Sequence, residues 1–132
     1  MTHIVIVGHG SLPSGLRDAA ELILGAQQQL HVVELPPEQT PEGLRADLVR
    51  VLDAAGQAVV LTDVFGGTPH NVAAVEGALR TDVEVLTGAS LPMVIELLTS
   101  KATGVAELAA AAVEAGRSGV AHVKLTARAN GG

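Results

Sequence analysis

The chain contains no cysteine among its 132 residues. Disulfide bonds, thiolate metal ligands and thiol nucleophiles are therefore excluded, which fits a protein of the reducing cytoplasm. Tryptophan and tyrosine are also absent and Phe65 is the only aromatic residue, so the core must consist of Val, Leu, Ile and Ala. No apolar run is long enough to cross a bilayer and no signal peptide is recognisable, so we expect a cytoplasmic protein.

Basic residues are few: 8 Lys and Arg stand against 14 Asp and Glu, giving a formal net charge of −6 with histidine neutral. The basic residues are scattered, so neither a nucleic-acid-binding surface nor a polybasic membrane anchor is predicted. An acidic surface instead suits a basic protein partner. The length fits one domain without a stabilising metal ion, and we assign residues 1–126 to that domain and residues 127–132 to a flexible tail.

Short apolar strands alternate with amphipathic helices along the chain. Strands are predicted at 3–8, 31–35, 58–62 and 83–86, and helices at 14–28, 41–56, 69–79, 91–99 and 105–115. This alternation predicts an α/β fold with a doubly wound, mostly parallel sheet and right-handed crossovers. A last strand at 120–125 has polar residues on one side, which is typical of an edge strand. Pairing or exchanging it with a second copy would protect both edges, so we expect a homodimer.

His9 is the most informative residue of the chain. It follows the apolar run Ile4–Val7 and is flanked by Gly8 and Gly10. A strand, a glycine turn and a helix start in this order place an imidazole at the carboxyl end of a sheet strand, where open α/β sheets bind ligands. The glycines leave space for a phosphate-sized group, and free amides at the start of the following helix would favour an anion. A histidine that only terminates a buried strand would show the same local pattern.

Asp63 is the predicted partner of His9. The first, third and fourth strands, if they lie side by side, bring their following loops together at one edge of the sheet. A carboxylate that accepts a hydrogen bond from one ring nitrogen fixes the tautomer and makes the other nitrogen more nucleophilic. This arrangement would make His9 a nucleophile, although Asp63 could instead serve only as a turn residue.

The segment Gly66-Gly67-Thr68-Pro69 predicts a phosphate-binding turn. Its amides and the Thr68 hydroxyl could hold a phosphoryl group at the start of the next helix. Phe65 could line the pocket or belong to the core. His70 is placed on the first turn of that helix, where an exposed histidine is usually a surface residue, and His3, His31 and His122 lie on strands with no assigned partner.

Three segments together resemble the mannose-family EIIA component of the bacterial sugar phosphotransferase system (PTS). They are residues 7–10 (VGHG), 63–71 (DVFGGTPHN) and 88–93 (GASLPM). The resemblance implies that His9 takes a phosphoryl group from phospho-HPr and passes it to an EIIB component, which hands it to a sugar entering through an EIIC/EIID permease. It implies that Asp63 orients His9 and that Thr68 lies near the phosphate. It also implies that the last strand is antiparallel and exchanged across a homodimer, and that no cofactor or metal ion is needed.

The chain departs from the family at Phe65, where tryptophan is common, and at His70, where an apolar residue is common. Many members also continue into an EIIB domain, so a separate EIIB protein is expected. Three other interpretations stay open. The run from Val7 to Ser11 is similar to small sirohydrochlorin cobalt or iron chelatases, with His9 and His70 as metal ligands. The others are the phosphocarrier subunit of dihydroxyacetone kinase, and a regulatory module phosphorylated only as a signal.

Overall fold

A computed structural model describes residues 1–125. Four strands and five helices alternate, which confirms the predicted α/β class. The strands are β1 (His3–His9), β2 (Leu30–Leu35), β3 (Ala58–Thr62) and β4 (Val83–Thr87), and the helices are α1 (Leu12–Leu24), α2 (Pro41–Ala55), α3 (Thr68–Ala78), α4 (Leu91–Thr99) and α5 (Val105–Ser118). The predicted tail at 127–132 lies outside the described residues.

The sheet is parallel throughout these four strands, in the order β2-β1-β3-β4. The chain therefore leaves β1 toward β2 on one side and returns to place β3 on the other side. Open α/β sheets bind ligands at the carboxyl end of such a reversal point. The last residue of β1 is His9, and Asp63 follows the last residue of β3, so the fold brings both to this point.

Helices cover both faces of the sheet, and each face has its own apolar core. Ile4 and Ile6 of β1 pack on one face with side chains from α1, α4 and α5. The alternate residues Val5 and Val7 pack on the other face with side chains from α2 and α3. Because β1 and β3 are buried on both faces, their sequences are unbroken apolar runs, and each such side chain contributes roughly 1.5–3 kcal/mol by burial.

Helices α1 and α5 differ most from the sequence prediction in where they begin or end. Helix α1 begins at Leu12 because a proline in the first turn costs no helical hydrogen bond, and it ends at Gly25, whose φ of 85° leaves the helical region. Helix α5 continues through Gly116, where we predicted its end. A β-carbon at position 116 would lie 2.8 Å from the Met93 Cγ atom, so this glycine allows α5 to pack closely against α4.

The predicted final strand does not form within a single chain. Residues 120–125 have no regular secondary structure and are exposed. A strand needs an open partner edge, and within residues 1–125 the outer edge of β4 is unpaired and lies beside a groove of about 490 Å³ lined in part by Leu86, Met93 and Val113. Within residues 1–125, none of the helices has both the length and the apolar character needed to cross a membrane.

Two histidines left without partners by the sequence contact each other at the amino end of the sheet. The distance from His3 Nδ1 to His31 Nε2 is 2.9 Å, and the ring centroids are 5.1 Å apart. Burial, and then the charges of His3 and Arg17, lower the pKa of His31. A hydrogen bond between two imidazoles needs one neutral ring as acceptor, and the lowered pKa favours that neutral form of His31. This pair lies at the opposite end of β1 from His9.

Candidate active site

The structure brings His9 and Asp63 together as predicted. The His9 side chain is 51% exposed and that of Asp63 is 9% exposed. Asp63 Oδ2 lies 2.7 Å from His9 Nδ1 and also accepts the main-chain N–H of His9 at 2.8 Å. Asp63 Oδ1 accepts the Val64 amide at 2.9 Å. Three contacts therefore hold the carboxylate, and two of them come from the residue that it orients.

The ionised Asp63 carboxylate determines which tautomer a neutral His9 ring adopts. Burial alone would raise the pKa of the Asp63 carboxyl, but the hydrogen bonds from the His9 main chain, the His9 ring and the Val64 amide outweigh it, so the pKa is lowered. The ionised carboxylate can only accept hydrogen bonds, so a neutral His9 ring carries its proton on Nδ1. Nε2 then keeps its lone pair on a half-exposed ring, as a nucleophile requires.

Two glycines give the pair its space. A β-carbon at position 8 would lie 3.2 Å from Asp63 Cγ and Oδ2. A β-carbon at position 67 would lie 3.1 Å from His9 Cε1 and 3.7 Å from His9 Nε2. The φ of Gly67 is −75°, an ordinary value for any residue, so what this position needs is room beside the ring.

The start of helix α3 lies beside the imidazole. Gly67 is its N-cap and Thr68 its first residue, whereas the sequence placed Thr68 in the preceding loop. Within residues 1–125 no side chain caps this end, and the first turn carries no acidic residue. Gly66 has a φ of 84°, which aims the loop into the helix. The uncapped amides and the positive end of the helix dipole make this end suitable for an anion next to Nε2.

The start of helix α1 differs from the expectation of free amides. Gly10 adopts a φ of 57° and turns the chain after β1, but its N–H donates to the Leu35 carbonyl at 2.9 Å. The Ser14 N–H donates to Glu34 Oε2 at 2.9 Å. Gly10 therefore supplies the turn, while its amide is engaged by β2. Sequence reasoning missed Glu34, for which the only signal was a carboxylate interrupting the apolar strand β2.

Phe65 is a surface residue and does not belong to the core, since it is 77% exposed. Its ring lies 4.7 Å from the His70 ring, measured between centroids. His70 Nδ1 lies 3.1 Å from the side-chain oxygen of Asn71, and the side-chain Nδ2 of Asn71 donates to the Gly66 carbonyl at 3.2 Å. Asn71 belongs to the segment 63–71 but received no role from the sequence, and its side chain links the glycine loop to α3.

One family model covers almost the whole chain. The model of the family EIIA-man, described as "PTS system fructose IIA component", matches residues 3–126. The chain belongs to the mannose family of PTS EIIA components. The resemblance drawn from three short segments is thereby confirmed over nearly the whole EIIA chain. The chelatase interpretation, which depended on residues 7–11 and one further histidine, loses its support.

Relatives and solved structures agree with this family. The mannose-specific EIIAB component of Escherichia coli K12 is 33% identical over 131 residues, covering 94% of this EIIA chain but 40% of that protein. The chain thus spans less than half the length of that relative. The mannose/sorbose-specific IIA subunit from Enterococcus faecalis superposes with a TM-score of 0.89 at 30% identity, covering 95% and 96% of the two chains. EIIA from Streptococcus agalactiae gives 0.88 at 30% identity, covering 92% and 97%.

Proposed function

We propose that this EIIA chain is a cytoplasmic phosphocarrier that works beside an EIIC/EIID permease. His9 accepts a phosphoryl group from phospho-HPr and passes it to an EIIB component, which serves sugar uptake and phosphorylation. One observation carries the proposal: a single oxygen of Asp63 binds both the ring and the main chain of the half-exposed His9. This contact leaves Nε2 as the ring nitrogen that receives phosphorus.

The transfer step needs positioning and charge stabilisation more than acid–base chemistry. The Nε2 lone pair of His9 forms the new phosphorus–nitrogen bond while the bond to the donor breaks and its electron pair returns to the donor's ring nitrogen. The His9 ring gains positive charge with its proton still on Nδ1, and the adjacent Asp63 carboxylate offsets that charge. The start of α3, with Gly66, Gly67 and Thr68, faces the negative phosphoryl oxygens. Onward transfer reverses these changes, and the electron pair returns to Nε2.

Apolar side chains around His9 supply a surface for the two partner proteins. Leu12, Val64 and Phe65 are exposed and belong to segments on either side of His9 and Asp63. A small apolar area beside a polar centre suits weak, transient contacts, which a carrier needs when it binds HPr and EIIB in turn.

The test is reconstitution with phosphoenolpyruvate, enzyme I and HPr. We expect acid-labile, base-stable phosphate on the full-length chain, and loss of that label when EIIB is added. Absence of labelling would overturn the phosphocarrier proposal. Label that stays on the chain in the presence of EIIB would replace it by the regulatory module. Label that moves only to a nucleotide-binding dihydroxyacetone kinase subunit would replace it by that branch.

Alanine at Gly67 is expected to slow phosphorylation of His9 by about tenfold to a hundredfold. The added β-carbon would press on His9 Cε1 and displace the ring from the line of attack, while the backbone accepts alanine without strain. The rate of labelling measures the displacement of the His9 ring, and the midpoint of thermal unfolding, Tm, shows whether the fold is also destabilised. Gly15→Ala is the matched control, since a β-carbon there meets nothing within 4 Å. If Gly67→Ala is labelled at the wild-type rate, the added β-carbon does not displace the His9 ring and the prediction is wrong.

We also propose that two copies exchange residues 120–125, each segment adding an antiparallel strand along the other copy's β4. The support is the open edge of β4, the groove beside it and the exposed apolar side chains of Val120, Val123 and Leu125. Light scattering is expected to give the mass of a dimer for the full chain and of a monomer after deletion of residues 120–132. A monomeric full-length chain at micromolar concentration would contradict the exchange.

A further inference from the structure

Two helices begin next to His9, and among the described residues a carboxylate contacts the first turn of only one of them. Helix α1 begins three residues after His9, and helix α3 begins against its ring. The first turn of α3 is uncapped by side chains, as described above. In contrast, a carboxylate from another strand already covers the first turn of α1: Glu34 Oε2 accepts the Ser14 N–H at 2.9 Å.

Glu34 reaches this place through the pairing of β1 with β2. The register sets Gly8 opposite Glu34 and His9 opposite Leu35. Neighbouring strands lie about 4.8 Å apart, so the Glu34 backbone is one strand spacing from the residue that precedes His9. Ser11, the N-cap of α1, makes no capping hydrogen bond with its own side chain, and a proline follows in the first turn. The Glu34 side chain, which comes from strand β2, therefore caps the first turn of α1.

The charge of Glu34 is not balanced by a basic side chain within residues 1–125: the ion pairs there involve other carboxylates. Glu34 is also partly buried, so its field is less screened than that of a fully exposed carboxylate. A phosphoryl group on a side chain brings a charge of about −1.5 to −2. The positive end of α1 is offset by Glu34, whereas the positive end of α3 remains open to that group.

We propose that Glu34 is a positioning residue that directs the phosphoryl group on His9 toward α3 and limits the stability of phosphorylated His9. The inference rests on the phosphocarrier function proposed above. Repulsion from Glu34 raises the free energy of the phosphorylated form relative to the free form, so the group leaves more readily for the next acceptor. A carrier that held the group between two helix dipoles would accept it readily and release it slowly.

Three substitutions separate the charge of Glu34 from its hydrogen bond. Glu34→Gln keeps an oxygen that can accept the Ser14 N–H but removes the charge. Glu34→Asp keeps the charge on a shorter side chain, and Glu34→Ala removes both. Glu84→Gln is the matched control, because Glu84 is an exposed carboxylate near the amino end of β4, remote from His9. We expect Tm to fall for Glu34→Ala and to stay near the wild-type value for Glu34→Gln.

The decisive measurement is the equilibrium of the phosphoryl group between HPr and the full-length chain. Glu34→Gln is expected to shift it toward the phosphorylated chain by about threefold to tenfold, and to slow transfer to EIIB, while Glu34→Asp and Glu84→Gln stay near wild type. The shift should shrink as salt rises from about 0.01 M to about 1 M, where the Debye length falls from about 30 Å to about 3 Å. A purely structural cap would show no such salt dependence.

The outcomes distinguish the two proposals. If phospho-HPr does not label the wild-type chain, the phosphocarrier function itself is overturned. If the wild type is labelled and Glu34→Gln has the wild-type equilibrium constant at low salt, the role assigned to Glu34 is overturned and only a structural cap remains. A shift that also appears in Glu34→Asp would assign the effect to the geometry of α1 and would likewise overturn the electrostatic role.

Discussion

His9→Ala is expected to reduce labelling by phospho-HPr to background, a loss of about a thousandfold or more in rate, because the proposed acceptor atom, Nε2, is gone. The fold should persist, since the His9 side chain is half exposed and lies outside both apolar cores. Labelling with phosphoenolpyruvate, enzyme I and HPr measures the loss, and circular dichroism with thermal unfolding verifies the fold.

His70→Ala is the matched control for that experiment. It removes an imidazole from the same edge of the sheet but leaves the contact between His9 and Asp63 intact. We expect His70→Ala to be labelled at a rate within a few-fold of the wild type. Label that persists in His9→Ala and disappears in His70→Ala would move the phosphorylated position to α3 and refute the role assigned to His9.

Asp63→Asn is expected to slow phosphorylation by about a hundredfold to a thousandfold while leaving some activity. The amide can occupy the same space, but it no longer fixes the ring proton on Nδ1 or offsets the positive charge that the ring gains. The rate of labelling at neutral pH measures the loss. Asp53→Asn is a suitable control, because it removes an exposed carboxylate that pairs with Arg80 away from His9. A wild-type rate for Asp63→Asn would refute the orienting role.

The same variant has a predictable effect on stability at low pH. The pKa of Asp63 is lowered by folding below its ordinary value of 3.8, so the folded state binds a proton less readily than the unfolded chain. Its contribution to the free energy of unfolding is therefore present above about pH 4 and is lost as the pH falls through the lowered pKa. As the pH falls below about 4, the free energy of unfolding should decrease more for the wild type than for Asp63→Asn. Thermal unfolding at a series of pH values measures this difference.

The pairing of His9 with Asp63 could be predicted because local sequence identified the strands, and the only further assumption was that β1 and β3 are neighbours, which the structure confirms. Unbroken apolar runs identified β1 and β3, and the parallel arrangement of such strands sets their following loops at one edge. The glycines after these strands indicated turns and room for a phosphate-sized group. The sequence indicated Gly67 only as part of a turn. The structure shows why a glycine is needed there: a β-carbon at position 67 would lie 3.1 Å from His9 Cε1.

Features that depend on strand register or on packing between helices could not be predicted. Glu34 reaches Ser14, and His3 reaches His31, only because β2 pairs with β1 in one particular register. Gly116 looked like a helix end, whereas it serves the contact between α4 and α5. The predicted final strand at 120–125 has no regular secondary structure in the single chain, and its pairing with a second copy is a proposal that the local sequence pattern alone does not test.

The shared Asp63 oxygen also determines how much freedom the His9 ring has. An imidazole held through both its ring and its own main chain has few accessible rotamers, so its conformational entropy is lost during folding and not at each encounter with another protein. Each visiting protein then has only to bring its own reacting atom into line. In the proposed phosphocarrier role, two partners of different shape would therefore use one preset nucleophile in turn, without the carrier rearranging between them.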